Sequence, residues 1–152
     1  MPRIDVSTVA VRTGTIYPAK FAGAVAGRHK QALGDAGGLT QFGVNLTRLK
    51  PGASTALLHW HENEDEFVYV LEGEPTLVEG KAETVLKPGD AATFKAGVAV
   101  GHRLVNRTPG DVLILEVGTR ASSERAHYPD DDLSFERVNG VNRLTARDGK
   151  PY

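Results

Sequence analysis

Residues 52–73, GASTALLHWHENEDEFVYVLEG, hold two β-rich runs, Thr55–His61 and Phe67–Leu71, on either side of the acidic segment Glu62–Glu66. The pattern continues in both directions. Further runs at Phe42–Leu49, Thr76–Val78, Thr84–Leu86, Ala91–Phe94, His102–Asn106 and Val112–Val117 alternate with turn signals such as Lys50-Pro51-Gly52, Lys87-Pro88-Gly89-Asp90 and Thr108-Pro109-Gly110-Asp111. Short strands at about 8–12-residue spacing, punctuated by Gly and Pro, mark a sandwich or barrel. No helical pattern of roughly 10–15 residues intervenes, which disfavours a parallel α/β sheet. The expected fold class is all-β.

His59 and His61 stand two apart on a predicted strand, so alternation places both on one face, with Cβ atoms roughly 6.5–7 Å apart at ~3.3 Å rise per residue. Two imidazoles so placed can converge on one ion at distances of ~2.0–2.1 Å. A hard or borderline divalent cation takes a mixed imidazole and carboxylate set, and Glu62–Glu66 supplies the acids. Periodicity does not choose the carboxylate. Asp65 groups with Phe67, Tyr69 and Leu71, Glu66 groups with Val68 and Val70, and both faces are apolar. A strand apolar on both faces must be covered on both. One face is expected to line the barrel and the other to meet the N-terminal arm, the C-terminal hairpin or a second copy of the chain.

The spacing Gly52-x6-His59-x-His61-x4-Glu66-x6-Gly73, followed by Pro88-Gly89-Asp90-x6-Gly97-x4-His102-x3-Asn106, resembles the two signature motifs of the cupin superfamily. The run Asp65–Glu74 is especially similar to small microbial single-domain cupins. The resemblance covers about residues 41–118. It implies a double-stranded β-helix, a small antiparallel jelly-roll-like barrel holding one metal ion, with His59, His61, Glu66 and His102 as ligands. The E-x6-G spacing favours Glu66 over Asp65. Three imidazoles and one carboxylate leave open positions on a five- or six-coordinate ion, as a catalytic site does. The expected cofactor is one divalent transition metal ion (Fe, Mn, Ni, Co or Zn), and the donor set does not select among them. Small cupins commonly pair through an outer sheet, which implies a homodimer.

Three departures from the family pattern stand out. Six residues rather than five separate Gly52 from His59, an excess that a bulge or longer turn can absorb. Lys95 occupies the place of the proline before the second-motif glycine. Val98-Ala99-Val100-Gly101 makes the approach to His102 two residues longer than usual.

Around the barrel, residues 1–152 read as a single cupin domain with its core at about 41–118, an N-terminal arm at 1–40 and a C-terminal extension at 119–152. The arm is Ala-rich over Ala19–Leu33, but Gly23 and Gly27 each cost about 1 kcal/mol inside a helix, so an irregular segment with one helical turn is expected. In the extension, Asn139-Gly140 between Phe135–Val138 and Val141–Leu144 signals a two-residue hairpin. Asp130–Asp132 reads as a solvated loop.

Composition removes other classes. Eighteen Lys and Arg against 19 Asp and Glu give a net charge of −1, which lends no support to a nucleic-acid or anionic-membrane partner. The absence of cysteine excludes disulfides, thiolate metal sites and a Cys nucleophile. No apolar run approaches the ~18 residues of a membrane span, and MPRIDVSTVAVRT does not read as a signal peptide, so a cytoplasmic address is expected.

The expected function is that of a mononuclear metal-binding cupin, a metalloenzyme acting on a small oxygenated or anionic molecule by oxygenase, isomerase or lyase chemistry. The alternative is a non-catalytic cupin that binds or senses a small ligand. Glu62, Glu64, Asp65 and Tyr69 are the candidate acids and bases, with no feature separating them. His29 and His127 read as surface residues, Trp60 as packing away from the histidine pair, and Lys95 and Arg103 as facing water. Asn45, Thr47 and Arg48 have ambiguous parity against Val44 and Leu46.

Overall fold

The structure, a computed structural model, describes residues 3–152. Its strands are β1 (Val11–Arg12), β2 (Arg28–Ala32), β3 (Phe42–Leu49), β4 (Trp60–His61), β5 (Glu66–Glu72), β6 (Thr76–Glu79), β7 (Ala82–Val85), β8 (Ala91–Phe94), β9 (His102–Val105), β10 (Val112–Thr119), β11 (Glu124–His127), β12 (Ser134–Val138) and β13 (Val141–Thr145). Two single-turn helices, α1 (Ala19–Ala22) and α2 (Leu33–Ala36), flank β2.

All pairings between these strands are antiparallel. One sheet runs β1-β2-β3-β10-β5-β8, a second β7-β6-β9 and a third β13-β12-β11-β4. The antiparallel bridge between His59 and His102 joins the second to the third, so two faces close around one interior. This is the double-stranded β-helix expected from the sequence.

Register fixes what faces inward, because directly opposed residues share a face. Glu66 lies opposite Gly118, Val68 opposite Glu116 and Val70 opposite Ile114. Across β10, Glu116 meets Asn45 and Ile114 meets Thr47. On β2, Lys30 lies opposite Thr47 and Arg28 opposite Leu49. The interior is therefore graded. Leu49, Val68, Val70, Leu104, Val112 and Ile114 pack one end into a core, while Lys30, Asn45, Glu66 and Glu116 line a cavity at the other. Burying the core contributes about 25 cal/mol per Å² of apolar surface. A second core, with Phe21, Leu57, Ala126, Tyr128, Leu133 and Phe135, packs α1 against the third sheet.

The Asn139-Gly140 hairpin forms, with left-handed φ values of 49° and 78° at its two turn residues. Gly73 is needed for close approach. Its φ is 78°, and a Cβ built there would lie 2.7 Å from the Asp111 carbonyl oxygen.

Three elements differ from expectation. The arm supplies a full sheet strand, β2, which the Ala-rich composition concealed and whose inward residues are basic. Most of Thr55–His61 is not regular strand. Thr55 N–H donates to the Leu104 carbonyl and His59 N–H to the His102 carbonyl, so three residues, 56–58, stand against Arg103 alone and bulge out. The excess residue before His59 is absorbed there. Finally, the extension contributes β11, whose buried Glu124 and Ala126, with Tyr128 just after it, alternate with the less buried Arg125 and His127.

Candidate metal centre

His59 and His102 exchange both backbone hydrogen bonds, with 2.8 Å and 3.3 Å separations, so their rings stand side by side with centroids 4.7 Å apart. His61, two residues on, presents its ring to His59 at 4.9 Å. Across the interior, β5 carries Glu66. Its Oε2 lies 2.7 Å from His102 Nε2, 3.5 Å from His61 Nε2 and 3.6 Å from His59 Nε2. The three imidazoles expected as ligands thus all approach the one Glu66 oxygen, and His59, His61 and Glu66 are the three whose donor atoms are mutually close.

Asp65 is elsewhere. Its carboxylate accepts from the Ala96 N–H at 2.8 Å, because strand alternation sends it to the outer face. The long approach to His102 is held by Gly97 N–H on the His61 carbonyl and Gly80 N–H on the Gly101 carbonyl, both at 2.8 Å. The extra residues therefore do not displace the ring.

Neighbours fix each ring. His59 Nδ1 donates to the Leu57 carbonyl at 2.8 Å, which aims Nε2 at Glu66. Phe94, opposite Glu66 on β8, stacks on His102 at 3.6 Å and 2°. His61 Nδ1 is buried and has no hydrogen-bond partner among the described residues. It faces two acids, Glu124 Oε1 at 3.5 Å and Glu64 Oε2 at 4.0 Å.

The electrostatics follow from burial and from Glu66. Burial lowers the His61 pKa to about 4 against the pull of Glu66, so that ring is neutral at physiological pH, the form that ligates metals. Burial also pushes His59 down, but contact with the Glu66 charge and the Leu57 carbonyl outweighs it and the net direction is up. Burial raises Glu66 less than the hydrogen bonds from His102 and His59 lower it, which holds its carboxyl well below the usual range. An anionic carboxylate among imidazoles with inward Nε2 atoms fits a divalent transition ion. His59, His61 and Glu66 each offer a donor atom within 4.8 Å of the others.

The centre opens on a cavity of about 370 Å³ lined by Arg28, Lys30, Asn45, Glu66, His102 and Glu116, among others. A mouth of about 730 Å³ adjoins it, with Arg12, Tyr17, Arg28, Glu64, Tyr128 and Arg137 in its wall. Tyr17 and Tyr128 have pKa values raised by burial, so both stay protonated at neutral pH. Of the candidate acids and bases, Glu64 alone borders both spaces. Tyr69 is on the outer face, and Glu62 pairs with His127 at 2.7 Å outside.

Trp60 stacks on His127 at 4.2 Å, away from the centre as expected. Lys95 and Arg103 border neither space. Asn45 and Thr47 face inward and Arg48 outward, toward Glu72 and Asp111. Asn106 is buried as an anchor, donating to the Leu49 and Gly110 carbonyls.

Sequence reasoning missed Arg28 and Glu124. The alternation Glu124-x-Ala126-x-Tyr128 was the signal for β11, and nothing in the arm's composition marked Arg28.

A cupin domain model matches residues 45–118. A crystal structure from Silicibacter pomeroyi, named a sugar phosphate isomerase from a cupin superfamily, is similar over 99% of this chain and 96% of its own, with 44% identity and a TM-score of 0.94. A protein of Acidithiobacillus ferrooxidans, named provisionally as a sugar phosphate isomerase, matches at 29% identity over 95% of this chain and 88% of its own, with a TM-score of 0.79. A predicted oxalate decarboxylase of Thermotoga maritima, at 22% identity over 78% of this chain and 99% of its own, shares the fold with a TM-score of 0.63. No curated protein matches the chain. The protein belongs to the cupin superfamily, as a small single-domain member.

Proposed function

We propose that His59, His61, Glu66 and His102 hold one divalent transition metal ion and that the protein is a metalloenzyme isomerising a phosphorylated sugar. One observation carries this reading: a single carboxylate oxygen lies within 3.6 Å of three imidazole nitrogens beside a polar cavity. A bound ion would act as a Lewis acid for the carbonyl and hydroxyl oxygens of a substrate. The other groups supply the rest. Glu64, on both spaces, is placed to take a proton from one carbon and return it to the next. Tyr17 and Tyr128, kept protonated, donate to substrate oxygens.

Arg28 accounts for the phosphate. Arg12 and Arg120 pair with Asp35, Lys30 with Glu116 and Arg137 with Glu64. Arg28 has no carboxylate partner among the described residues and donates only to the Thr55 carbonyl, at 2.6 Å. A half-buried guanidinium with donors to spare matches the geometry of a phosphate. The names given to the Silicibacter and Acidithiobacillus proteins support the same substrate class. In this reading residues 1–152 act as one unit, since the arm brings Arg28, and a second copy covers the outer sheet.

The test has two stages. Elemental analysis should find about one metal equivalent per chain, absent in His59→Ala and His61→Ala and kept in His29→Ala. Full metal in both barrel variants defeats the ligand set. Proton NMR in deuterated water should then show interconversion of an aldose and a ketose phosphate, with solvent deuterium at the migrating position. Arg28→Ala should raise KM for the phosphorylated sugar. Metal binding with no turnover across a sugar phosphate panel would leave the non-catalytic binding role instead.

A further inference from the structure

We infer that Glu124 is the positioning residue of His61: its carboxylate accepts the Nδ1 proton and so keeps the Nε2 lone pair turned toward Glu66. The inference goes beyond the proposed activity and rests on the metal-centre reading only for its effect on affinity.

His59 solves the same problem locally, through the Leu57 carbonyl. His61 has no such partner. Its Nδ1 is buried and has no hydrogen-bond partner among the described residues, and the nearer of the two carboxylates it faces is Glu124 Oε1 at 3.5 Å, the outer limit of a hydrogen bond. Glu124 is built to hold still. Its side chain is fully buried, Oε1 accepts from the Glu62 N–H and Oε2 from the Asn63 N–H, both at 2.9 Å. The carboxylate is thus clamped to the two residues that follow His61. Its carrier strand β11 pairs with β4 in the register Ala126 opposite His61. Glu64 is the rival, but it stands farther off at 4.0 Å, and its carboxylate already receives Arg137 at 2.5 Å and the Ala121 N–H at 2.9 Å.

A carboxylate behind a ligating histidine fixes tautomer and ring orientation, and its removal lowers metal affinity about 10–100-fold. The first readout needs no metal. In ¹⁵N-labelled, chelator-treated protein at neutral pH, two-bond nitrogen–proton correlation should show His61 as the Nδ1–H tautomer, and Glu124→Gln should lose or mix that state. Glu64→Gln should keep it. Urea midpoints and far-UV circular dichroism establish that Glu124→Gln is folded. If it is not, Glu124→Asp, which keeps the charge but shortens the reach, is read the same way. The second readout is Co(II) titration of the metal-free proteins, with Kd rising 10–100-fold in Glu124→Gln and less than about threefold in Glu64→Gln.

An Nε2–H tautomer in the wild type, or an unchanged tautomer in folded Glu124 variants, overturns the inference, as does a Glu64→Gln effect larger than that of Glu124→Gln. If the wild type binds no Co(II) while the tautomer behaves as stated, the metal reading fails and the positioning role stands.

Discussion

Acid should weaken the metal-free protein through His61 in a definable window. The folded pKa is about 4 and the ordinary value 6.5. The unfolded chain therefore takes up the proton first, and stability is full above pH 6.5 and lost as pH falls toward 4. Each unit of pKa difference corresponds to ~1.4 kcal/mol, so the whole window represents ~3 kcal/mol. The side chain is 15% exposed, so solvent screening removes little of this.

Of the other shifted groups of the centre, His59 and Glu66 act outside that window, while Glu124, whose pKa burial raises, takes up its proton first in the folded chain and works in the opposite sense above 4.5. His59 has a raised pKa, so its contribution is complete below 6.5 and fades only above it. Glu66 has a lowered pKa, and its contribution fades only below its ordinary 4.5. Between pH 6.5 and 4.5, then, His61 should account for ~2–3 kcal/mol of the fall, a drop of about 1–2 M in urea midpoint at the usual slope for a small protein. Urea unfolding with a chelator present, at both pH values, on the wild type and His61→Gln gives the difference directly. A His61→Gln variant whose stability falls as steeply as that of the wild type would refute the burial argument.

Two further outcomes concern the scaffold. Phe67, Tyr69 and Leu71 are 37%, 37% and 41% exposed on the outer face of β5, and a homodimer through this face should give light scattering at twice the chain mass, reduced to one chain by Tyr69→Lys with circular dichroism unchanged. A wild-type mass of one chain at micromolar concentration rejects that interface. Gly73→Ala should cost ~2–4 kcal/mol by urea unfolding, since it combines a left-handed backbone with a Cβ 2.7 Å from the Asp111 carbonyl oxygen and 2.9 Å from Val112 Cγ2; a loss below ~0.5 kcal/mol would mean that the turn relaxes freely.

The barrel was legible because its strands are short and bounded by Gly and Pro, signals that act within a few residues. The histidine pair was legible for the same reason, since period two on one strand is local. His102 became part of the site only through motif spacing, because its bridge to His59 crosses 43 residues and no periodicity reaches that far. Glu66 could not be separated from Asp65 by alternation, since Val68 and Val70 face the core while Phe67, Tyr69 and Leu71 form an equally apolar outer surface. Arg28 was hidden by its setting: a five-residue strand reading Arg-His-Lys-Gln-Ala has no hydrophobic alternation, because its inward face lines a polar cavity rather than a core. Glu124 did sit in an alternating run, but four residues with one charged inward member look like a loop.

The hidden residues share a cause that bears on the ligand. The chain as a whole carries a net −1, which lends no support to a nucleic-acid or anionic-membrane partner and is silent on a small anion. The cavity is different. Its wall holds Glu64, Glu66 and Glu116 against Arg28, Lys30, Arg120 and Arg137. Arg120 is neutralised by Asp35, which lies outside that wall, so three cations face three carboxylates while a deeply shifted His61 stays uncharged. A divalent ion at the histidine cluster would then turn a neutral cavity into one of about +2, in a medium where charge is felt more strongly than in water. With that ion bound, such a space would attract a dianion more than a neutral sugar, and Arg28, lacking a carboxylate partner among the described residues, is where the proposed function puts that charge. On the proposed reading, the electrostatics that matters is set by a handful of side chains on β2, β5, β10, β12 and the segments beside them, not by the net charge of the chain.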